Sequence, residues 1–291
     1  MKSIYRATVI TLLVISVSTC TERIEVEVGS TFTRLVVEAS VSTDTLAHMV
    51  RLSTTSDYFH NKQAPAVTGA IVVISDGLNM YVFNESQSQP GYYYSDPDFH
   101  GIPDNTYTLE IRNVDIDRDG NPEQYKASSR MNPVNPLDSI QIEYLSSFFS
   151  GYQVRVYAWD SPRKDFYAFK VHKNGILLTD TLSELIVQDD EFFNGNYTYG
   201  IPSQFLSDEK PDEHVRLGDT ITFELNGITE EYYHYIIEAQ SQIFPQIPLF
   251  SGPPANIRSN ISNNAIGFFV AYSISRSSTV ATEDVIGGGR D

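Results

Sequence analysis

The chain has 291 residues, a formal net charge of −17 and a sequence pI of about 4.6. An acidic excess of that size excludes nucleic acid as a natural partner, because phosphates demand a basic face. The one cysteine, Cys20, excludes disulfides and thiolate metal centres. Stability must therefore come from a core, and 18 Tyr and 16 Phe with frequent Val, Ile and Thr suit pleated sheets.

In chain order, the first feature is a secretory signal over residues 1–20. Lys2 and Arg6 precede an apolar stretch from Ala7 to Val17, and small residues follow. Val17-Ser18-Thr19-Cys20 resembles a lipobox, in which cleavage leaves Cys20 as the acylated first residue. The alternatives are an ordinary secretory signal with an incidental thiol, or an uncleaved anchor. The apolar stretch is shorter than the roughly 20 residues that a spanning helix needs. Loss of the signal takes the formal charge from −17 to −19, since it holds two basic residues and no acidic ones. Such a surface discourages adsorption to anionic lipid, so an acyl anchor would do the attaching.

Period-two alternation and turn signals then dominate. Strands are predicted over residues 32–41, 48–54, 69–75, 80–83, 91–95, 107–111 and 125–129. Short strands with turns about every 8–12 residues indicate a sandwich of immunoglobulin-like or transthyretin-like type. Met131-Asn132-Pro133-Val134-Asn135-Pro136 is the best boundary, because two prolines in four residues enforce an extended link. The expected N-terminal β-sandwich domain thus covers 21–132. A second domain, 137–286, opens with strands at 139–144, 152–159 and 166–172. Asn174-Gly175 signals a hairpin into 176–178. After a strand at 220–225 comes one helix, about 229–241, with Thr229 as N-cap, Glu230 and Glu231 in its first turn, and Tyr233, Ile236, Ile237 and Gln240 sharing a face. A strand at 267–275 completes a C-terminal sandwich with one helix, and 287–291 reads as a disordered tail. The fold class is mostly β, with two β-sandwich domains.

Asp115-Ile116-Asp117-Arg118-Asp119-Gly120 is the sharpest local motif. Carboxylates at alternate positions before a turn-forming glycine match the first half of a calcium loop. Asn121 would offer its carbonyl and Glu123 a further ligand, but Lys126 stands where the bidentate glutamate belongs. A structural calcium ion and a plain solvated turn are the two readings. Asp189-Asp190-Glu191 is expected to be a solvated turn. No metalloprotease, nucleophile-elbow or dinucleotide motif occurs. Trp159 and the tyrosine runs suit sugar stacking or, by default, strand packing. Acid, hydroxyl and branched aliphatic recur around Thr45, Ser139, Thr181 and Thr220, resembling the O-glycosylation signal of exported Bacteroidetes proteins, although such triplets are also common at strand entries.

Several segments carry a wider resemblance: Arg34-Leu35-Val36-Val37-Glu38-Ala39, Val50-Arg51-Leu52-Ser53, Val67-Thr68-Gly69-Ala70, and Tyr93-Tyr94-Ser95-Asp96-Pro97-Asp98-Phe99. The most specific is Phe250-Ser251-Gly252-Pro253-Pro254-Ala255-Asn256 with Asn260-Ile261-Ser262-Asn263. Together they resemble the Bacteroidetes lipoproteins grouped as the domain of unknown function 4249 family. The resemblance implies an outer-membrane lipoprotein often encoded beside a TonB-dependent receptor, with no catalytic residues to carry over. An acidic run behind the cysteine, the frequent surface-export signal, is only partly present in residues 21–25, which leaves the membrane face open. The expected function is a non-catalytic accessory or binding protein, with Pro253, Pro254, Asn256 and Asn260 as partner-contact candidates. A calcium-stabilised adhesin or glycan-binding module is the alternative. A hydrolase with loop-assembled carboxylates is the third reading.

Overall fold

Alternating apolar residues become strands because each second side chain finds a core. Along β1 (Leu35–Ser42), Leu35, Val37, Ala39 and Val41 point inward; along β6 (Thr106–Val114), Tyr107, Leu109 and Ile111 do the same. The computed structural model describes residues 33–56, 64–146, 150–243 and 257–283. These belong to one compact unit that begins at Thr33. The fold is mostly β and sandwich-like, as the periodicity predicts.

The first core draws on β1, β2 (Met49–Thr54), β3 (Ile71–Ser75), β4 (Met80–Glu85), β5 (Tyr92–Tyr94), β6 and β7 (Glu123–Arg130). Phe99 lies at its centre, stacked on Tyr81 at 4.0 Å between centroids and edge-on to His48, Phe83 and Tyr107. The 95–101 loop, which mixes acids, an aromatic and a histidine, is thus held by its phenylalanine.

The second core lies between two sheets. One is a three-stranded sheet of β8 (Leu137–Ser146), β9 (Ser150–Ala158) and β13 (Ile201–Ser207), in the order β13-β9-β8. Opposite it run β10 (Phe166–Lys173) and β14 (Thr220–Ile228), which supply Tyr167, Phe169, Val171, Ile221, Phe223 and Leu225. The short β11 (Ile176–Leu177) and β12 (Ile186–Asp189) both pair with β10. The β10–β11 turn has Asn174 at φ 52° and Gly175 at φ 81°, the doubly left-handed geometry that Asn-Gly favours.

One strand serves both cores. β15 (Ile266–Val280) pairs parallel with β1 through 266–272 and antiparallel with β14 through 273–280. Its Phe269 and Ala271 enter the first core, and Ala281 just beyond it enters the second. The large sheet is therefore continuous, in the order β11-β10-β14-β15-β1-β2-β5-β4-β3-β6-β7. The link at 133–136 runs between the cores, and Asn132 before it is tied to β15, its carbonyl accepting the Ser273 hydroxyl at 2.5 Å. Among the described residues, Ile261 and Ala265 ahead of this strand also pack into the first core, so residues beyond the expected boundary contribute to both cores.

The helix α1 (Glu230–Ile243) covers the other face of β10 and β14. Thr229 caps it as predicted, its Oγ1 accepting the Tyr232 N–H at 3.2 Å. Its buried face centres on Ile236 and Ala239, rotated from the expected one, and Ile237 is exposed. The rotation lets Tyr232 and Tyr235 pack on Phe268. Among the described residues no helix is long and apolar enough to cross a membrane.

Candidate functional site

The acidic motif occupies the loop between β6 and β7, flanked by strands as the sequence suggests. A register shift between Ile111 and Val114, with Asn113 at φ 62°, bends β6 into the loop. Asp115 Oδ2 accepts the Gly120 N–H at 3.1 Å, and Asp117 Oδ1 accepts the Asp119 N–H at 3.2 Å. These bonds fold the loop back so that Asp115, Asp117 and Asp119, all exposed, each bring one carboxylate oxygen within 4.8 Å of the others. Hard oxygen donors so arranged suit a divalent cation of the calcium type. Glu123 turns elsewhere, while the Asn121 side chain stays against Asp119. The Asn121 amide donates to Asp119 and holds that carboxyl below its ordinary pKa, while Glu123 accepts the Ile116 N–H at 3.1 Å. Of the four expected carboxylate ligands the structure thus gathers three, and Glu123 is not among them.

The other expected residues are dispersed. Asn260 clamps β15, its Nδ2 donating to Phe269 O at 2.7 Å and its Oδ1 accepting the Phe269 N–H at 2.9 Å. Pro253, Pro254, Asn256, Cys20 and the 287–291 tail lie outside the described residues. Thr45, Ser139 and Thr181 are exposed on separate elements, and Thr220 is half-buried at the start of β14. The Thr181 hydroxyl donates to Glu184 at 2.9 Å.

A second acidic grouping departs from the sequence reading. Asp190 is only 1% exposed and accepts the Asp165 N–H at 2.8 Å, so it is a buried pin and not part of a solvated turn. Beside it, Tyr167 donates its hydroxyl to Asp160 Oδ1 at 2.5 Å, and the Gly195 N–H donates to Asp160 Oδ2 at 3.1 Å. Burial pushes the Asp160 and Asp165 carboxyls above their ordinary pKa and the Tyr167 hydroxyl far above its own. Trp159 next to Asp160 is 61% exposed, against the expectation that a strand aromatic packs inward. The signal available in the sequence was its position at a strand end, directly before the turn-forming Asp160-Ser161-Pro162.

Across this architecture a family model described as Domain of unknown function (DUF4249) matches residues 21–278. The chain belongs to that family. The match takes in both cores, the shared strand β15 up to Ser278, the acidic loop and the Trp159 region. No curated protein matches the chain significantly.

Two hollows lie outside the acidic loop. A groove of about 290 Å³ runs between α1 and the outer face of β1 and β15, walled by Glu38, Ser40, Tyr232, Tyr235, Phe268 and Val270. A cavity of about 30 Å³, bordered by Trp159, Asp160, Thr198 and Asn135, opens at the end of the second core.

Proposed function

We propose that this chain is an acylated, non-catalytic outer-membrane protein that works beside a TonB-dependent receptor in ligand uptake. The observation that carries the reading is the single cysteine, which closes a basic, apolar and small-residue leader where a lipobox requires it. The family match begins at residue 21, directly behind that cysteine, which supports residues 1–20 as a removed leader. The resemblance to lipoproteins encoded beside such receptors supports the partnership. A C-terminally tagged chain purified from native outer membranes in mild detergent tests it by mass spectrometry. Stoichiometric recovery of a TonB-dependent receptor is expected; recovery of the lipoprotein alone refutes the accessory role. Loss of lipid labelling and of membrane retention in Cys20→Ala is the matching test of the anchor.

One observation favours a second reading, a calcium-stabilised binding module: three carboxylate oxygens within 4.8 Å of one another repel unless a cation joins them. Millimolar calcium should then raise the melting temperature, and Asp117→Asn should abolish the rise. Identical melting in calcium and in chelator removes this reading.

A further inference from the structure

Trp159, the only tryptophan of the chain, stands at the end of β9 with 61% of its surface in water. Tyr199 is 80% exposed, and half-exposed Tyr197 bridges the two, with ring centroids 5.3 Å from Trp159 and 5.0 Å from Tyr199. Single exposed aromatics are ordinary, but three in a row, the middle ring touching both others, make a continuous apolar strip, and such patches mark binding surfaces.

The strip is held rigidly. Trp159 and Tyr197 form an isolated antiparallel bridge, and Asn135 Nδ2 donates to Trp159 O at 2.9 Å. The Thr198 N–H donates to Ala158 O at 3.0 Å, and the Thr198 hydroxyl donates to Val156 O at 2.7 Å. Tyr199 sits at φ 49° ahead of Gly200 at φ 80°. A bulky residue in the left-handed region is strained and needs surroundings that enforce it. Here Arg155 Nη1 holds the Gly200 carbonyl at 3.1 Å. The strain has a result: it turns a tyrosine ring outward beside Tyr197.

The chemistry of the rim selects the ligand. Rings that touch leave no gap between them for an alkylammonium group, so this is a platform and not a cage. Acidic groups at the same end of the fold, Asp160 and, near Tyr197, Asp138, exclude phosphate-bearing ligands. What remains are hydrogen-bonding groups of modest reach. Each Asp160 oxygen already accepts one bond and keeps a further lone pair, and Asn135 borders the same cavity. That cavity, about 30 Å³ and lined mostly by apolar side chains such as Val156, Phe169, Phe193 and Leu225, is too small to take a sugar ring, so recognition falls to the exposed surface. An exposed indole face for stacking, flanked by tyrosine rings tilted 55° and 84° to their neighbours and edged by a carboxylate acceptor, is the complement of a pyranose ring with its C–H face and equatorial hydroxyls.

We propose that Trp159, Tyr197 and Tyr199 form a stacking platform for a neutral oligosaccharide, with Asp160 and Asn135 accepting hydrogen bonds from its hydroxyls. The assignment deepens the binding-protein reading above and rests on it, but it needs neither calcium nor the receptor. Titration of the full chain with maltohexaose, cellohexaose, xylohexaose, mannohexaose and chitohexaose, in chelator, tests it. As the sole tryptophan, Trp159 reports contact at the platform through its own emission. A saturable spectral shift with at least one sugar is expected. By calorimetry, Trp159→Ala and Tyr199→Ala should each weaken that sugar at least tenfold, and Trp159→Ala should leave the melting temperature unchanged. No saturable response to any of the five overturns the proposal. So does binding that Trp159→Ala leaves intact, or a response to tetramethylammonium and to no sugar. Receptor co-purification is scored separately, so failure of the accessory role cannot be mistaken for failure of the platform.

Discussion

Gly267 is where the fold tolerates least. It lies in β15 opposite Val37 of β1, at φ 104°, a conformation that only glycine adopts readily. A Cβ added there would stand 2.0 Å from Val37 O, 2.9 Å from Val37 C and 3.0 Å from Val37 N. All three are backbone atoms in mid-strand, so no side-chain rotation relieves the clash and the parallel ladder must open. Gly175 provides the control: its φ is 81°, but nothing lies within 4 Å of its notional Cβ. Gly175→Ala therefore carries only the conformational penalty, about 1–2 kcal/mol. Gly267→Ala carries a similar penalty plus the loss of two or three ladder hydrogen bonds at about 1 kcal/mol each, roughly 3–5 kcal/mol in all. In a domain of this size 1 kcal/mol shifts the melting temperature by roughly 2–4 °C, so a drop of about 6–20 °C is expected for Gly267→Ala. Thermal unfolding followed by circular dichroism measures both variants. If Gly267→Ala melts no lower than Gly175→Ala, the close approach of β15 to β1 is not what joins the two cores.

Phe99→Ala empties the aromatic centre of the first core, where Phe99 is 5% exposed, and should lower stability by about 3–5 kcal/mol in urea unfolding. Thr229→Ala removes the cap of α1 and should lower stability by about 1 kcal/mol, read as a small shift of the same transition. Asp44, at the β1–β2 turn, is paired with Arg276 of β15, and the hydrogen bond from that guanidinium holds its carboxyl below the ordinary range. A carboxyl lowered on folding contributes stability that is full above its unfolded pKa, about 3.9, and lost as pH falls through the lower folded value. Asp44→Asn should therefore melt lower than wild type at pH 7, by about 1 kcal/mol for a partly exposed pair, with the gap closing below about pH 4. A gap that widens in acid contradicts the pairing.

Strand positions were readable because the signal is local. Alternation in 107–111 depends only on which side chains can face one core, and Asn174-Gly175 carries its turn geometry within two residues. Strands β12 and β13 escaped for the same reason. Ile186-Val187-Gln188-Asp189 is half-buried throughout, and the pairing of β13 shifts between Pro202 and Gln204, so neither shows clean alternation. The acidic loop was visible as a motif, yet only its folded hydrogen bonds sort Asp115, Asp117 and Asp119 from Glu123.

The sequence by itself determined that this is an acidic, mostly β chain without disulfides, led by a lipobox-like segment and carrying one capped helix. Tertiary structure alone decided that β15 joins two cores, because parallel pairing with β1 links residues 230 positions apart and leaves no local trace. It also decided that Asp190 is buried and Trp159 exposed. Composition favours the reverse for both, since carboxylates prefer water and indoles prefer cores. What overrode it was position: the Asp165 N–H needed an acceptor inside, and β9 ends at the edge of the second core, one residue before the tryptophan.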